Sequence, residues 1–324
     1  MRHPRPRIVV SRCLGFEHCR YNGDIISSDV VNALSGHVEY VPVCAEVEIG
    51  LGVPRNPVRL VRSDGETHMV QRDTLRDVTK LMESFSETFV ASVGDIDGCI
   101  LKGRSPSCGL RDAKAYGGIE SPFVLEKTSG LFARTLLDAH PTLAMEDELR
   151  LKNIRIREHF LTKVFMHARY REMAKAHTLK DLIAFHTQNK YLFMAYNQNE
   201  LREMGRVVAN QHLYDFDELL DIYRVHLDTM FASPPRPGSY INVMEHMFGY
   251  FSRELSARER AHFLSIVKEY REGLVPLSAL RALIVTWALR FEDDYVLEQT
   301  VIEPYPNLFI DPQELYRQRD YWKE

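Results

Sequence analysis

The sequence predicts an α/β domain with a mainly parallel sheet, followed by an all-α domain. In the first half of the 324-residue chain, short β-branched runs alternate with stretches of helical periodicity, which is typical of parallel strands joined by helices. After about residue 147, glycine and proline become rarer and apolar residues recur at helical spacing. We therefore place one domain at residues 1–148 and a second, helical domain at residues 149–324.

Three β-branched runs of the first domain are predicted as parallel strands. They cover residues 7–10 (RIVV), 38–43 (VEYVPV) and 96–101 (IDGCIL). A hairpin is predicted over residues 58–71, where Asp64-Gly65 has the composition of a tight turn. Helical spacing of apolar side chains predicts the connecting helices, which cover residues 24–35, 72–93 and 131–139.

The second domain is predicted to consist of helices with one interruption. Pro234, Pro235 and Pro237 break the helical pattern, and the stretch from residue 304 is a proline-punctuated tail that ends in a short helix. The predicted helices cover roughly residues 147–175, 178–195, 198–231, 239–253, 256–272 and 275–291.

The composition is that of an ordinary globular protein. Hydrophobic residues make up 45% and charged residues 27% of the chain. No apolar run approaches the length that crosses a bilayer, and no stretch of signal-peptide type follows the basic residues at the N-terminus. We expect a cytoplasmic protein with no membrane partner.

The five cysteines are confined to the first 108 residues, so we expect the thiols to serve the first domain. An odd number of cysteines argues against a disulfide framework. Cys99 lies inside a predicted strand and is expected in the core.

Cys13, Cys44 and Cys108 each follow one of the three predicted strands. Ligands of open α/β sheets bind beyond the carboxyl ends of the strands, so we expect these thiols to converge on one edge. They form no CxxC pair, which argues against zinc-ribbon and thioredoxin-like sites. Spacing alone leaves buried structural thiols, a metal or cluster site, and a thiol nucleophile open.

Three motifs around these cysteines resemble the thiouracil desulfidase family. SRCLGFEHCRYNG, PVCAEVEIGLGVPR and LKGRSPSCG occur in the order of the family pattern, and the resemblance covers residues 7–148. Residues 150–324 resemble a partner domain that is often fused to the first, through FHTQNKYLFMAYNQ. The two-domain arrangement resembles the branch that removes sulfur from 4-thiouridine in tRNA.

The resemblance implies a 4Fe-4S cluster bound by Cys13, Cys44 and Cys108. Three thiolates leave one iron open, and an open, thiophilic iron accepts a thiocarbonyl sulfur. The implied reaction is a non-redox hydrolysis, in which water adds to the carbon that bears sulfur and hydrosulfide leaves. It requires no flavin or nicotinamide, and the chain has no GxGxxG or Walker motif. Cys19 is positioned as a fourth ligand, but the family pattern does not use it, and its alternative is a core thiol.

The family pattern also implies two catalytic residues. Glu46 would handle protons for the attacking water, and on an extended segment it would point to the same side as Cys44. Ser105 would hydrogen-bond the substrate or the water. Without the resemblance, Glu46 is an exposed carboxylate at a strand end and Ser105 is a turn residue before Pro106.

Further residues of the same loop are assigned to the substrate. Ser107 is the neighbouring hydroxyl. Lys102 and Arg104 would hold a nucleotide phosphate or offset the negative charge of the cluster; otherwise they are exposed loop cations. One residue departs from the family pattern, since Ala45 stands where a proline is usual, and we expect this to change only the stiffness of the loop.

A basic segment follows the first domain. Residues 151–210 hold 11 Lys and Arg against 5 Asp and Glu, in a chain of net charge −4. Along the predicted helix over 152–175, the basic side chains recur at steps of three or four and share one face. A phosphate backbone is the natural partner of such a face, although a solvated surface is the alternative. The predicted tRNA-binding residues are Lys152, Arg155, Lys163, His167 and Arg171.

Other functions remain open at this stage. The same chemistry on free thiouracil or thiouridine is one alternative. An RNA-binding or sensor protein with a structural cluster is another, and a fourth ligand such as Cys19 would favour it. A zinc protein without a cluster is the third. A simple hydrolase is disfavoured, because the chain has neither a nucleophile elbow nor an HExxH motif.

Overall fold

The computed structural model describes residues 3–63 and 65–307. Asp64 of the predicted hairpin turn and the predicted helix at the end of the tail lie outside these residues. The strands of the described chain are β1 (Arg7–Ser11), β2 (Glu39–Val43), β3 (Val58–Ser63), β4 (Glu66–Gln71), β5 (Gly98–Leu101), β6 (Ala113–Tyr116), β7 (Val124–Thr128) and β8 (Ala144–Asp147). Its α-helices are α1 (Asp29–Leu34), α2 (Ala45–Glu48), α3 (Thr79–Ser92), α4 (Leu131–Ala139), α5 (Ile154–Ala176), α6 (Leu179–Tyr196), α7 (Gln198–Ala209), α8 (Phe216–Met230), α9 (Pro237–Gly249), α10 (Ala257–Arg271), α11 (Leu277–Arg290) and α12 (Asp294–Leu297).

The first sheet confirms the predicted parallel α/β architecture. Its four strands lie in the order β2-β1-β5-β8 and all pair in parallel. The three predicted strand runs correspond to β2, β1 and β5, which are neighbours. Ile8, Val9 and Val10 in the central strand β1 are fully buried, as expected for a strand covered on both faces. The carboxyl ends of three adjacent strands therefore meet at one edge.

The hairpin was predicted, but the second sheet to which it belongs was not. The hairpin over residues 58–71 is confirmed as β3 and β4, which pair antiparallel, and Gly65 in its turn has a φ of 83°. β3 also pairs in parallel with β6, and β6 pairs antiparallel with β7. These last two strands, AKAY and VLEKT, are short and rich in polar residues, so no clear alternation marked them in the sequence.

Helix α3 begins later than the predicted start at residue 72. Leu75 has a left-handed backbone (φ 56°) and is exposed, which no helix interior accommodates. The carboxylate of Asp77 accepts the backbone N–H of Thr79 at 2.8 Å and so satisfies one of the N–H groups that the helix start leaves open. α4, in contrast, has the predicted bounds, Leu131–Ala139.

One buried apolar cluster joins both sheets to α3 and α4. Leu101 of the first sheet, Leu60 of the second and Met82 of α3 belong to it. Phe132 of α4 is fully buried and packs edge-on against Phe89 of α3, with 5.3 Å between ring centroids. Burying each such side chain contributes roughly 1.5–3 kcal/mol. The core therefore fixes the sheet edge relative to α4.

The second half of the described chain is helical, as predicted. The predicted helix over 198–231 is interrupted, because the chain leaves α7 at Asn210 and Asp215 caps α8 by accepting the N–H of Glu218. No helix in the described residues is long and apolar enough to cross a membrane.

The described chain divides into two compact units. One contains residues 4–168 and 306–307, and the other contains His3 with residues 169–305. The division lies inside α5, whereas the predicted domain boundary at residue 148 lies directly after β8.

We expect Gly98→Ala to destabilise the first unit, because a Cβ at this position would lie 2.7 Å from Val164 Cγ2 and 3.1 Å from the carbonyl oxygen of Ala144. Overpacking of this kind costs about 1–3 kcal/mol. Urea unfolding followed by far-UV circular dichroism should show a lower midpoint. Gly36→Ala is the matched control, since nothing lies within 4 Å of its Cβ position. Equal midpoints for both variants would contradict the packing argument.

Candidate active site

A cavity of about 410 Å³ lies at the carboxyl ends of β1, β2 and β5. Cys13, Cys44 and Cys108 all line it, so the structure brings together thiols that are far apart in the sequence. Cys19 lines it as well. Cys99, by contrast, is fully buried within β5, as expected of a core residue.

The strand ends position the first two thiols. Cys13 follows β1 by two residues, and its carbonyl oxygen accepts the N–H of Ile26 at 2.8 Å. Cys44 follows β2 directly and is the N-cap residue of the short helix α2. The parallel register places Ser11 of β1 opposite Val43 of β2, so both chains leave the sheet at the same level.

The third thiol is held by a loop that docks on the N-terminus of α4. The hydroxyl of Ser105 accepts the N–H groups of Ser107 (3.2 Å) and Cys108 (3.1 Å), which closes a tight turn. The carbonyl oxygen of Ser107 accepts the N–H of Ala133 at 3.0 Å, and that of Pro106 accepts the N–H of Leu131 at 3.1 Å. The loop carbonyls therefore satisfy N–H groups that a helix start leaves open.

Glu46 lies in the cavity, but the backbone geometry assumed for it was wrong. The residue is in the first turn of α2 and not on an extended segment, because Cys44 ends the strand and starts the helix. Its carboxylate is buried; Oε1 accepts the Ser107 hydroxyl at 2.7 Å and Oε2 accepts Arg55 Nε at 2.8 Å. Both oxygens are thus fixed in direction.

Arg55 is a site residue that the sequence reasoning missed. Its side chain is 4% exposed, and beyond Glu46 its Nη1 donates to the carbonyl oxygens of Cys19 (2.9 Å) and Gly52 (3.0 Å). The guanidinium therefore ties α2 to the segment around Cys19. The available signal was the position of Arg55 at the end of the second motif, GLGVPR, which also carries Cys44 and Glu46.

The structure separates the roles of the two serines. Ser107 is buried and its hydroxyl donates to Glu46, whereas Ser105 closes the turn. The hydroxyl oxygens of the two serines lie 2.9 Å apart. Both line the cavity. A continuous chain of hydrogen bonds therefore runs from Arg55 through Glu46 and Ser107 to Ser105.

Lys102 and Arg104 also line the cavity, but they differ in their ion pairing and exposure. Lys102 Nζ forms an ion pair with the buried Glu148 at 2.5 Å, so its charge is already balanced. Arg104 is exposed and its backbone is left-handed (φ 60°), held by an N–H donated to Asp112 Oδ1 at 2.8 Å. Of the two, Arg104 has the side chain that solvent and ligands reach.

Three of the cavity thiols, those of Cys19, Cys44 and Cys108, have raised pKa values. Burial raises the pKa of Cys108 to about 11, and a hydrogen bond with Cys13 raises the pKa of Cys19 to about 11. A hydrogen bond with Cys19 and burial raise the pKa of Cys44 far above its usual range. Buried thiols in contact become thiolates when a metal centre supplies positive charge, so this donor set suits an iron-sulfur cluster.

The cavity does not have the ligand geometry of a single metal ion. Among the described residues, no three His, Cys, Asp or Glu side chains gather closely enough to coordinate one ion. The thiolates of a cluster bind different iron atoms and do not need to meet at one point.

The prediction that α5 presents an exposed basic face is wrong for the middle of the helix. Lys163 is 9% exposed and His167 is 1% exposed, and Leu161–Ala168 is buried on all sides. Burial also lowers the pKa of His159 to about 4, so this histidine is neutral at pH 7. Apolar spacing identified the packed face correctly at Leu161, Val164, Phe165 and Ala168, but it cannot show that the opposite face is covered too.

The remaining predicted tRNA-binding residues differ in exposure. Lys152 and Arg155 are exposed at the N-terminal end of the segment, and Arg171 is half-buried. Ile154, which was assigned to the packed face, is exposed. Of the five predicted residues, only Lys152 and Arg155, at the start of α5 and in the turn before it, are therefore fully exposed cations.

Two family profiles match separate parts of the chain. A profile described as 2-thiouracil desulfurase matches residues 8–148, which contain the whole cavity lining. A profile described as a protein of unknown function, DUF1722, matches residues 190–306.

The chain is similar to two curated bacterial proteins. The uncharacterized protein YbbK of Bacillus subtilis is 34% identical over 149 residues, which is 44% of this chain and 97% of YbbK. The uncharacterized protein YbgA of Escherichia coli is 27% identical over 150 residues, which is 46% of this chain and 89% of YbgA. Among solved structures, a 4Fe-4S-dependent thiouracil desulfidase, TudS, is 28% identical, with a TM-score of 0.35; the match covers 46% of this chain and 94% of TudS.

The profile match, together with the α/β fold and its thiol-lined cavity, places the chain in a class of sulfur-removing enzymes. Since the profile covers the whole cavity and YbbK matches over nearly its entire length, the chain belongs to the 2-thiouracil desulfurase family.

Gly130→Ala is expected to reduce the iron content of the protein. A Cβ at Gly130 would lie 2.5 Å from the carbonyl carbon and oxygen of Ser107, so the loop that carries Cys108 must move. Iron and sulfide per chain, measured after anaerobic reconstitution, should fall well below the wild-type values. Gly118→Ala, with nothing within 4 Å, should reconstitute normally. Full iron content in Gly130→Ala would show that the docked loop does not define the site.

Removal of Arg55 is expected to destabilise the fold because it leaves a buried carboxylate unpaired. Arg55→Ala should cost about 3–5 kcal/mol in the free energy of unfolding, and adding Glu46→Gln should recover part of that loss. Arg20→Ala, which breaks an exposed pair with Asp24, should cost less than about 1 kcal/mol. If Glu46→Gln recovers none of the stability lost with Arg55, the coupling of the two residues is refuted.

Proposed function

We propose that the protein removes sulfur from 4-thiouridine in tRNA, giving uridine and hydrosulfide by non-redox hydrolysis. The observation that carries this proposal is the cavity in which three cysteine thiols and a hydrogen-bonded carboxylate lie together. Family membership supports the reaction class, and the fused helical region supports a macromolecular substrate.

Cys13, Cys44 and Cys108 would bind a 4Fe-4S cluster. When bound by three thiolates, the cluster supplies an open, thiophilic iron that polarises the thiocarbonyl group. The loop of Cys108 is hydrogen-bonded to the start of α4, and Cys44 is held as the N-cap residue of α2.

Glu46 would act as the proton acceptor for the attacking water. Its Oε2 is held by Arg55, so Oε1 is the oxygen that faces Ser107 and the cavity. The Ser107 hydroxyl either relays a proton to Oε1 or gives up this hydrogen bond to the water. Water adds to the ring carbon, and one of its protons passes to Glu46. The other proton passes to sulfur as the carbon–sulfur bond breaks, so the base keeps the oxygen as its carbonyl group and hydrosulfide leaves.

The serines and cations of the loop would position the base. Ser105 and Ser107 offer hydroxyl groups to the carbonyl and N–H groups of a uracil ring. Lys102 Nζ donates to the Gly103 carbonyl oxygen at 2.8 Å, and Glu148 Oε2 accepts the Gly103 N–H at 2.8 Å, so the pair fixes the start of the loop. Arg104 at the rim is left to contact the rest of the nucleotide.

The helical region would bind tRNA. We propose residues 1–148 as the reaction domain and residues 149–324 as the RNA-binding domain. Lys152 and Arg155 are exposed cations in the segment that follows the reaction domain, and phosphate contacts of this kind dominate RNA affinity. A thiolated base that is stacked in tRNA must be flipped out to enter the cavity.

A second candidate function rests on Cys19. Its thiol lines the same cavity and hydrogen-bonds with Cys13 and Cys44. A cluster with four protein ligands would leave no iron open, and the protein would then be an RNA-binding or sensor protein with a structural cluster.

The reaction is tested by incubating anaerobically reconstituted protein with bulk bacterial tRNA and measuring nucleosides by mass spectrometry. We expect 4-thiouridine to be lost and uridine to be gained in equal amounts. Turnover of free 4-thiouracil with untouched tRNA would restrict the substrate to the free base or nucleoside. No turnover by protein with an intact cluster would overturn the desulfidase proposal and favour the structural cluster.

Glu46→Gln should retain the cluster and lower turnover by about 10²–10⁴-fold, because the amide cannot accept the proton. Iron content and the visible spectrum of the cluster report retention, and hydrosulfide release reports turnover. Glu48→Gln is the control on the same helix, since Glu48 is exposed and pairs with Arg12. An active Glu46→Gln protein would remove Glu46 from the mechanism.

Charge reversal at Lys152 and Arg155 should weaken tRNA binding and reduce its salt dependence, because two phosphate contacts are lost. Fluorescence anisotropy with labelled tRNA at several salt concentrations measures both effects. The double variant Lys80→Glu with Lys268→Glu, at exposed positions on α3 and α10, changes the net charge by the same amount and is the control. Unchanged affinity in the double variant would show that these residues belong to a solvated surface and do not bind tRNA.

A further inference from the structure

Tyr21 lines the thiol-lined cavity, but the proposed reaction leaves its side chain without a role. Among the described residues of the lining, it is the one with an aromatic ring. Glu46, Ser105 and Ser107 present a carboxylate and hydroxyl groups, and such groups bind the edge of a planar base through hydrogen bonds. The two flat faces of a base need a different kind of contact, and an aromatic ring provides it.

A tight turn fixes the backbone of Tyr21. The carbonyl oxygen of Arg20 accepts the N–H of Gly23 at 2.9 Å, and Gly23 has a left-handed φ of 79°, which favours glycine. The carbonyl oxygen of Tyr21 accepts the N–H of Arg55 at 2.8 Å. Since the side chain of Arg55 holds Glu46, one residue positions both the backbone of Tyr21 and the buried carboxylate.

The ring of Tyr21 is accessible to a ligand, because the residue is 44% exposed. Within residues 3–63 and 65–307, its hydroxyl makes no hydrogen bond to another residue. In the same residues its one ring interaction is a cation–π contact with Arg20, whose guanidinium carbon lies 5.7 Å from the ring centroid. A tyrosine whose hydroxyl has no protein partner acts through its ring, so phenylalanine should be able to replace it.

The surface beside this turn is apolar as well. Val53 is 41% exposed, and a Cβ placed on Gly23 would lie 4.0 Å from Val53 Cγ1, so Val53 lies next to the turn. Pro57 and Val58 add apolar groups to the cavity lining. Apolar surface combined with a few hydrogen-bonding groups favours a flat organic ring over a small ion.

We propose that Tyr21 is a stacking residue, whose ring packs against the face of the thiolated base in the thiol-lined cavity. The proposal rests on the proposed function, since that function places the base there. The hydrogen-bonding groups of the cavity recognise the edge of the base, and Tyr21 holds its face. The contact involves neither ribose nor phosphate, so it contributes equally to free 4-thiouracil, to 4-thiouridine and to the same base in tRNA.

The test compares the cluster-loaded parent with Tyr21→Ala, Tyr21→Phe and Tyr21→Leu on these three substrates. Tyr21→Ala should raise KM by about tenfold to a hundredfold on each of them, which is the range that stacking of a base on an aromatic side chain contributes. The value of kcat should change much less, because the contact is present in both the bound substrate and the transition state. Phe123→Ala, which removes a 79% exposed ring outside the cavity lining, is the control.

The other two variants separate stacking from apolar packing. Tyr21→Phe should keep the parent KM, whereas Tyr21→Leu, which keeps an apolar side chain but no ring, should resemble Tyr21→Ala. Equal KM values for Tyr21→Phe and Tyr21→Leu would overturn the stacking role, and so would a KM that Tyr21→Ala leaves unchanged. If Tyr21→Ala loses iron, the comparison of Tyr21→Phe with Tyr21→Leu decides, since both fill the position.

The three substrates identify the base that is stacked. A rise in KM on all three supports the assignment to the reacting base. A rise confined to tRNA would place the ring of Tyr21 on a neighbouring base and overturn that assignment.

Binding of uridine to the same cluster-loaded proteins, measured by calorimetry, separates the stacking role from the desulfidase reaction. If no protein turns over any substrate, but the parent and Tyr21→Phe bind uridine at least tenfold more tightly than Tyr21→Ala does, the stacking residue stands without the reaction. If the parent binds uridine no more tightly than Tyr21→Ala, the stacking role is overturned whatever the turnover.

Discussion

The buried carboxylate of Glu46 is the constraint on which the rest of the site depends. A carboxylate out of contact with water is tolerated only when charge and hydrogen bonds compensate it. Here Arg55 holds one oxygen and Ser107 the other. These two contacts connect three segments that are distant in sequence: α2, the loop around Arg55, and the loop that carries Cys108.

The same segments supply the thiols. Because Cys44 caps α2 and Cys108 follows Ser107, any shift of the carboxylate also shifts two of the three proposed cluster ligands. Gly130 adds a steric condition, since only a residue without a Cβ lets the Ser107 backbone approach α4 so closely. The proposed proton transfer and the proposed cluster binding would therefore be coupled, because the same backbone segments carry the residues for both.

The parallel sheet explains why the thiols could be found from sequence. Three adjacent strands, β2, β1 and β5, end at one edge, and β-branched runs followed by cysteines were enough to predict that edge. The hairpin and α4 were also predictable, because a tight-turn pair and regular helical spacing are local signals. The second sheet was not, since β6 and β7 have polar, irregular sequences and are stabilised by pairing with β3 and with each other.

The sequence by itself determined the fold class, the three thiols at the sheet edge and the closeness of Glu46 and Ser107 to them. Those features follow from strand periodicity and from residues that are adjacent along the chain. Only the tertiary structure decided that Arg55 holds Glu46, that Cys19 joins the cavity and that Lys163 and His167 are buried. The physical reason is that charge pairing and burial depend on which distant segments cover a side chain, and helical spacing reports only the one face that is apolar.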